Sequence, residues 1–205
     1  MCIRDSSNHR AERGGLAVAV LGRAKRLLSS FAARSGDVLV MAIDLRGAYE
    51  EPNPFWNAAT HAPTERLRAD LELLPVLAEA GLADAAKDIS MAGAIGTTLM
   101  LLECSQAGAV IDVGAIPRPP GVPLLRWLQT FPSYGFVLSL RPDQVVPVLR
   151  RFAARDIAAA AVGHVTSTPQ LWLRQRGDLA LLWDLAGETF IGARDAANET
   201  EAAHA

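Results

Sequence analysis

The stretch Lys87-Asp88-Ile89-Ser90-Met91-Ala92-Gly93-Ala94-Ile95-Gly96-Thr97-Thr98 carries the most information in the chain. It runs from a short extended segment straight into an apolar helix. Ser90 stands where an N-cap belongs, so its hydroxyl is expected to accept a backbone N–H of the first turn. Gly93 and Gly96 fall in the first turns, where each costs stability relative to alanine. Glycine is useful there when another backbone, or an anion, must come close. Free N–H groups and the positive end of the helix favour a phosphate. Asp88 is placed to hold Mg²⁺, which prefers carboxylate and phosphate oxygens together, or to accept a proton or hydrogen bond from a substrate. The competing reading is a capped helix packed tightly on its sheet, with Asp88 making a turn bond. These residues alone leave both readings open.

Outward from this point, apolar periodicity predicts the elements. The helix is expected over Met91–Gln106, with Ile95, Leu99, Leu102 and Gln106 in one row and Gly108 just past its end. Strands are expected at Ala85–Ile89 before it and Ala109–Val113 after it. Upstream, the turn Ser35-Gly36-Asp37 precedes the apolar run Val38–Ile43, which reads as a buried strand. Gly47–Pro63 reads as a loop, and its adjacent Phe55 and Trp56 need a core or a ligand; docking into the core is the expectation. Thr64–Ala80 reads as a helix with Leu67, Leu71, Leu74 and Leu77 inward and Glu65, Arg66, Arg68 and Asp70 on the other faces. Pro75 should kink or break it, and Gly81 should end it. Downstream come a short helix at Val122–Gln129, a strand at Gly135–Leu140 and a helix at Pro142–Ala154 with Val145, Val146, Leu149 and Phe152 inward. A strand at Ile157–Val165 follows, then a hairpin of Gln170–Arg174 and Leu179–Trp183 around Gln175-Arg176-Gly177-Asp178. The order implies an α/β (α+β) fold: a mixed sheet flanked by helices.

Composition narrows the function. With 50% hydrophobic and 20% charged residues among 205, the chain can bury a real core. Lys+Arg is 20 and Asp+Glu is 22, so a net charge of -2 without a basic block disfavours nucleic acid and anionic lipid. No apolar run approaches a membrane span of about 20 residues. Two cysteines make no disulfide framework; Cys104 reads as a small core residue, and a cytoplasmic setting is expected. There is no GxxxxGK[ST], no GxGxxG after a strand, no GxSxG, and no His or Cys pair at metal spacing. His164, closing a strand, is expected to be structural. Met1–Ser6 (MCIRDS) looks like an assembly artefact, with the natural protein beginning further upstream.

Three segments in order resemble a known family. Asp88-Ile89-Ser90-Met91-Ala92-Gly93 leading into a helix that ends in Leu101-Leu102-Glu103, then Gly108-Ala109-Val110-Ile111-Asp112, resembles the C-terminal domain of the aminoimidazole ribonucleotide (AIR) synthetase superfamily. That superfamily includes thiamine-monophosphate kinase, selenophosphate synthetase, formylglycinamidine ribonucleotide synthetase and a hydrogenase-maturation protein. Arg34-Ser35-Gly36-Asp37-Val38-Leu39-Val40 resembles the lead-in to that domain, with Ser35 in place of proline. Ser133–Leu138 and Ala161–Val165 resemble its late strand–helix–strand segment. Asp44-Leu45-Arg46-Gly47 and Phe55-Trp56-Asn57 are not general to the superfamily and mark a distinct subgroup. Beside the artefactual leader at 1–6 and a polar, Ala-rich tail at 193–205 that is expected to be disordered, the resemblance implies a remnant of a preceding domain and connector at 7–35 and the AIR synthetase-like domain at 36–192.

It also implies chemistry. ATP and Mg²⁺ would be bound mainly by an N-terminal domain, through which the protein would form a homodimer. The C-terminal domain would wall a cleft for a small anionic metabolite, activated by kinase- or ligase-type chemistry. Asp88 would be the catalytic carboxylate and a tentative Mg²⁺ ligand, with Ser90, Gly93 and Gly96 receiving the anionic group. Asp44, Arg46, Phe55, Trp56 and Asn57 would line the far side, Arg46 facing a carboxylate or phosphate or making an ordinary salt bridge. Met91-Ala92 replaces the Gly or Asp of some members. The alternative is a metabolite-binding or dimerisation module of the same fold without catalysis.

Overall fold

A computed structural model describes residue 19 and residues 21–193. The leader Met1–Ser6, most of the run Leu16–Leu21 and the tail beyond 193 lie outside the described residues. A seven-stranded sheet has the order β10-β9-β5-β8-β1-β7-β4. Its strands are β1 (Val38–Ile43), β4 (Ala85–Asp88), β5 (Gly108–Asp112), β7 (Gly135–Leu140), β8 (Ala158–Thr166), β9 (Gln170–Gln175) and β10 (Asp178–Asp184). All neighbours pair antiparallel except β5 and β9, which makes the sheet mixed as expected.

β1 reads as an unbroken apolar run because both its faces are covered. Leu39, Met41 and Ile43 join the cluster around helix α3 (Gly93–Cys104). Val40 and Ala42 join the opposite cluster, with Leu73 and Leu77 of α2 (Leu73–Glu79) and Val148 and Phe152 of α5 (Val145–Ala153). That second layer stops near β8. Beyond it the register aligns Leu181, Trp172, Val110 and His164 across four strands on a face that no helix of the second cluster reaches. Leu181 and His164 there are exposed.

Several expectations change in detail. Thr64–Ala80 is two helices, α1 (Thr64–Leu71) and α2, broken at Glu72. Pro75 sits in the first turn of α2, where no N–H is needed. The break shifts the helical phase: Leu73 and Leu77 are buried, Leu71 is 60% exposed, and Asp70 is buried rather than outward. In α5, Val148 takes the inward place given to Val146, as the spacing from Val145 to Phe152 requires. Helix α3 starts at Gly93 rather than Met91, and Gln106 lies outside it with a left-handed φ of 53°. The expected loop Gly47–Pro63 holds two short strands, β2 (Ala48–Tyr49) and β3 (Phe55–Asn57), which form a small sheet with β6 (Phe131–Pro132). Trp56 docks into the core as expected.

After β10 the chain crosses back over α3. The buried Glu103 accepts backbone N–H groups from Phe190, Ile191 and Ala193, each at 2.8 Å. Phe190 packs edge-on against Trp183, with centroids 5.4 Å apart.

Candidate functional site

The ends of β1 and β4 leave the same edge of the sheet on either side of β7. Ile43 pairs with Gly135 and Asp88 with Phe136. Asp44 N–H then donates to the Tyr134 carbonyl at 3.1 Å, and Ile89 N–H to the Gly135 carbonyl at 2.8 Å. The two segments singled out in the sequence, 44–46 and 88–90, are therefore brought to one edge with a single strand between them. The small β2–β3–β6 sheet and helix α4 (Leu124–Leu128) close the same end. Trp56 stands between Tyr49 and Trp127, edge-on to both at 5.2 and 5.6 Å. Arg126 lies 3.7 Å over the Tyr49 ring and pairs with Glu51 at 2.6 Å.

Asp88 is exposed, and among the described residues its one ion pair is with Lys87 at 3.6 Å. Ser90 is not the N-cap. Ala92 occupies that position, and the Ser90 carbonyl accepts the Gly93 N–H at 2.8 Å. The turn 90–93 tightens one residue later than a cap at Ser90 would need, which carries the hydroxyl away from the first helical N–H groups. Ser90 Oγ is buried without a hydrogen bond among the described residues, and so is Trp56 Nε1. A buried polar atom left unpaired costs about 1–3 kcal/mol, so each of these groups calls for a hydrogen-bond partner.

Gly93 has a φ of +67°, and a Cβ there would overlap the Leu128 carbonyl oxygen. At Gly96 a Cβ would press on Ala92 and on Phe190. Both glycines thus serve close approach of protein to protein. The exposed Met91 leaves the turn open to solvent beside Asp88.

The other marked residues are engaged by protein partners. Asp44 Oδ1 accepts from Arg46 Nε at 2.8 Å, and Asp44 Oδ2 from Arg46 Nη2 at 3.1 Å. Asp70 accepts from Arg46 Nη2 at 2.9 Å and from Arg155 Nε at 2.9 Å. Arg66 reaches Asp44 at 3.4 Å and the Ala58 carbonyl. Arg46 Nη1 donates to the Arg155 carbonyl at 3.0 Å, so every nitrogen of the Arg46 guanidinium has a protein acceptor. The hydrogen bond to Asp44 raises the Arg46 pKa above its ordinary value, against desolvation. Tyr134 donates to the Asp70 carbonyl at 2.9 Å; burial first, then the nearby Asp70 and Asp44 carboxylates, push its phenol well above the usual range. Asn57 is engaged on both sides: its amide donates to Glu50 and Thr60 at 2.6 Å, and its oxygen accepts from Ala59 and Thr60 N–H at 3.0 Å. Sequence reasoning missed Arg66, Asp70 and Arg155. The one local signal was the i,i+4 spacing of Arg66 and Asp70.

No group of three His, Cys, Asp or Glu among the described residues is placed to hold a metal ion. No helix among the described residues is long and apolar enough to cross a membrane.

The family described as AIR synthase related protein, C-terminal domain, matches residues 35–174. An uncharacterized protein of Synechocystis sp. is 45% identical over 178 residues, covering 86% of this chain and 55% of that protein. One of Methanocaldococcus jannaschii is 33% identical over 180 residues, covering 86% and 56%. The chain thus spans about half the length of these curated relatives. Among solved structures, Thermotoga maritima PurL complexed with ATP matches with a TM-score of 0.64 at 18% identity, over 78% of this chain and 27% of that one. Hydrogenase maturation protein HypE in complex with ATP matches with a TM-score of 0.56 at 17% identity, over 81% and 55%.

Proposed function

Because the chain belongs to the AIR synthase related family through that family's C-terminal domain, we propose that it is the substrate-cleft half of an ATP-dependent enzyme. That enzyme activates a small anionic metabolite by kinase- or ligase-type chemistry. The observation that carries this reading is the orphaned Ser90 hydroxyl beside the open Asp88–Met91 turn. Ser90 would hydrogen-bond the substrate's anionic group, and Asp88 would accept a proton or hydrogen bond from the reacting oxygen. The Asp44–Arg46–Asp70 network would position this edge of the sheet, since each nitrogen of the Arg46 guanidinium already has a protein acceptor. Nucleotide and Mg²⁺ would be held by polypeptide outside the described residues, and the same polypeptide would supply a homodimer contact. The domain division 36–192 belongs to the same proposal. ATP-bound PurL and HypE share the fold, which is consistent with a nucleotide-using ancestor.

A second reading, a metabolite-binding module without catalysis, is favoured by the lack, among the described residues, of any group of three His, Cys, Asp or Glu around Asp88. The test is made in the intact protein that carries this domain. Asp88→Asn and Ser90→Ala are assayed for ATP turnover and for the melting-temperature shift given by ATP with Mg²⁺. The enzyme reading expects turnover to fall by roughly 10²-fold or more for Asp88→Asn, with an unchanged melting temperature. Wild-type turnover in both variants would sink it. A ligand-induced shift without any turnover in the parent protein selects the binding module.

A further inference from the structure

A groove of about 690 Å³ lies between α4 and the β9–β10 hairpin. Leu124, Leu125 and Leu128 form one wall; Leu173 and Ala180, opposite each other in the hairpin, form the other. The volume falls within the range of small-molecule sites, and the walls are mostly apolar. Leu125 on its wall is 71% exposed, a solvated apolar side chain in a place where nothing in the core needs it. The rim is polar. Arg176 and Asp178 flank the hairpin tip, and neither has an ion pair or side-chain hydrogen bond with another described residue. The tip is well defined: Arg176 and Gly177 both have positive φ, 50° and 96°, the geometry of a tight two-residue turn. A free guanidinium over an apolar trough selects an anion attached to an apolar body. The adjacent Asp178 carboxylate selects a hydrogen-bond donor beside that anion.

We propose that this groove binds a small molecule with an aromatic or aliphatic body, an anionic group at Arg176 and a hydroxyl or amine at Asp178. Leu128 links it to the site above, because its side chain lines the groove while its carbonyl abuts Gly93. The inference rests on the proposed function only for where such a ligand would react, not for whether it binds.

The test uses the intact protein that carries this domain and two fluorescent probes. 8-Anilinonaphthalene-1-sulfonate carries an apolar body, a sulfonate and an N–H donor; N-phenyl-1-naphthylamine lacks the sulfonate. Arg176→Ala should weaken the anionic probe by about fivefold or more and leave the neutral one within about twofold. Leu125→Glu should weaken both by about fivefold or more. Leu181→Glu, on the uncovered sheet face, should change neither, and circular dichroism should show each variant folded. Binding that ignores Arg176→Ala and Leu125→Glu, or that is lost in Leu181→Glu, overturns the proposal. So does sedimentation showing a dimer that Leu125→Glu dissociates, which would give the groove to a second copy. None of these readouts involves nucleotide or turnover, so a failure here is separable from a failure of the Ser90 and Asp88 assays.

Discussion

Replacing Asp70 by asparagine keeps the shape of the side chain and removes its charge. Asp70 is 2% exposed and faces Arg46 at 2.9 Å, Arg155 at 2.9 Å and Arg66 at 3.8 Å. The substitution leaves those three guanidinium groups with Asp44 as their only buried counter-charge. Breaking a buried ion pair by deleting one partner costs about 3–5 kcal/mol. The arginine side chains are 22–34% exposed, so water screens part of the loss and the lower end applies. About 3 kcal/mol in a domain of this size corresponds to a fall in melting temperature of roughly 6–12 °C. Calorimetry, and urea unfolding followed by tryptophan fluorescence, would read it. Asp88→Asn serves as the contrast: its carboxylate is exposed and should leave the melting temperature in place. A fall of less than about 2 °C for Asp70→Asn would refute the claim that this network holds β1, α1 and the α5–β8 turn together, and would return Asp44 and Arg46 to consideration as ligand-facing groups.

Gly93→Ala should destabilise by about 2 kcal/mol or more, because it adds left-handed strain to an overlap with the Leu128 carbonyl; urea midpoints check this. Glu103→Gln should cost about 2 kcal/mol, since its amide nitrogen would face backbone donors, and limited proteolysis should then cut within 186–193. Tyr134→Phe tests a pH dependence. The folded phenol keeps a proton that the unfolded chain releases above about pH 10. The native state therefore binds more protons there, and its stability falls as pH rises, by at most about 1.4 kcal/mol per unit. The phenylalanine variant should be about 1 kcal/mol weaker at pH 7 yet lose stability less steeply above pH 10; equal slopes would refute the assignment.

The main sheet was legible because apolar runs such as Val38–Ile43 and the turn Gln175–Asp178 are local signals. The break at Glu72 was not, since Pro75 marks it three residues late and the phase of α2 is set by the core. Of the candidate site, the neighbourhood of Asp44 and Asp88 is a property of register across β7, which periodicity does not encode. The arginine cluster around Asp70 hides for the same reason: Arg155 is 85 residues from its partner Asp70. The small β2–β3–β6 sheet was missed because strands of two or three residues carry too little alternation to register.

The meeting of Gly93 with the last turn of α4 has a mechanical consequence. Neither piece can shift without pushing on the other, because a carbonyl oxygen fills the room that a side chain would need. The start of α3 and the short leucine-bearing helix therefore behave as a single lever.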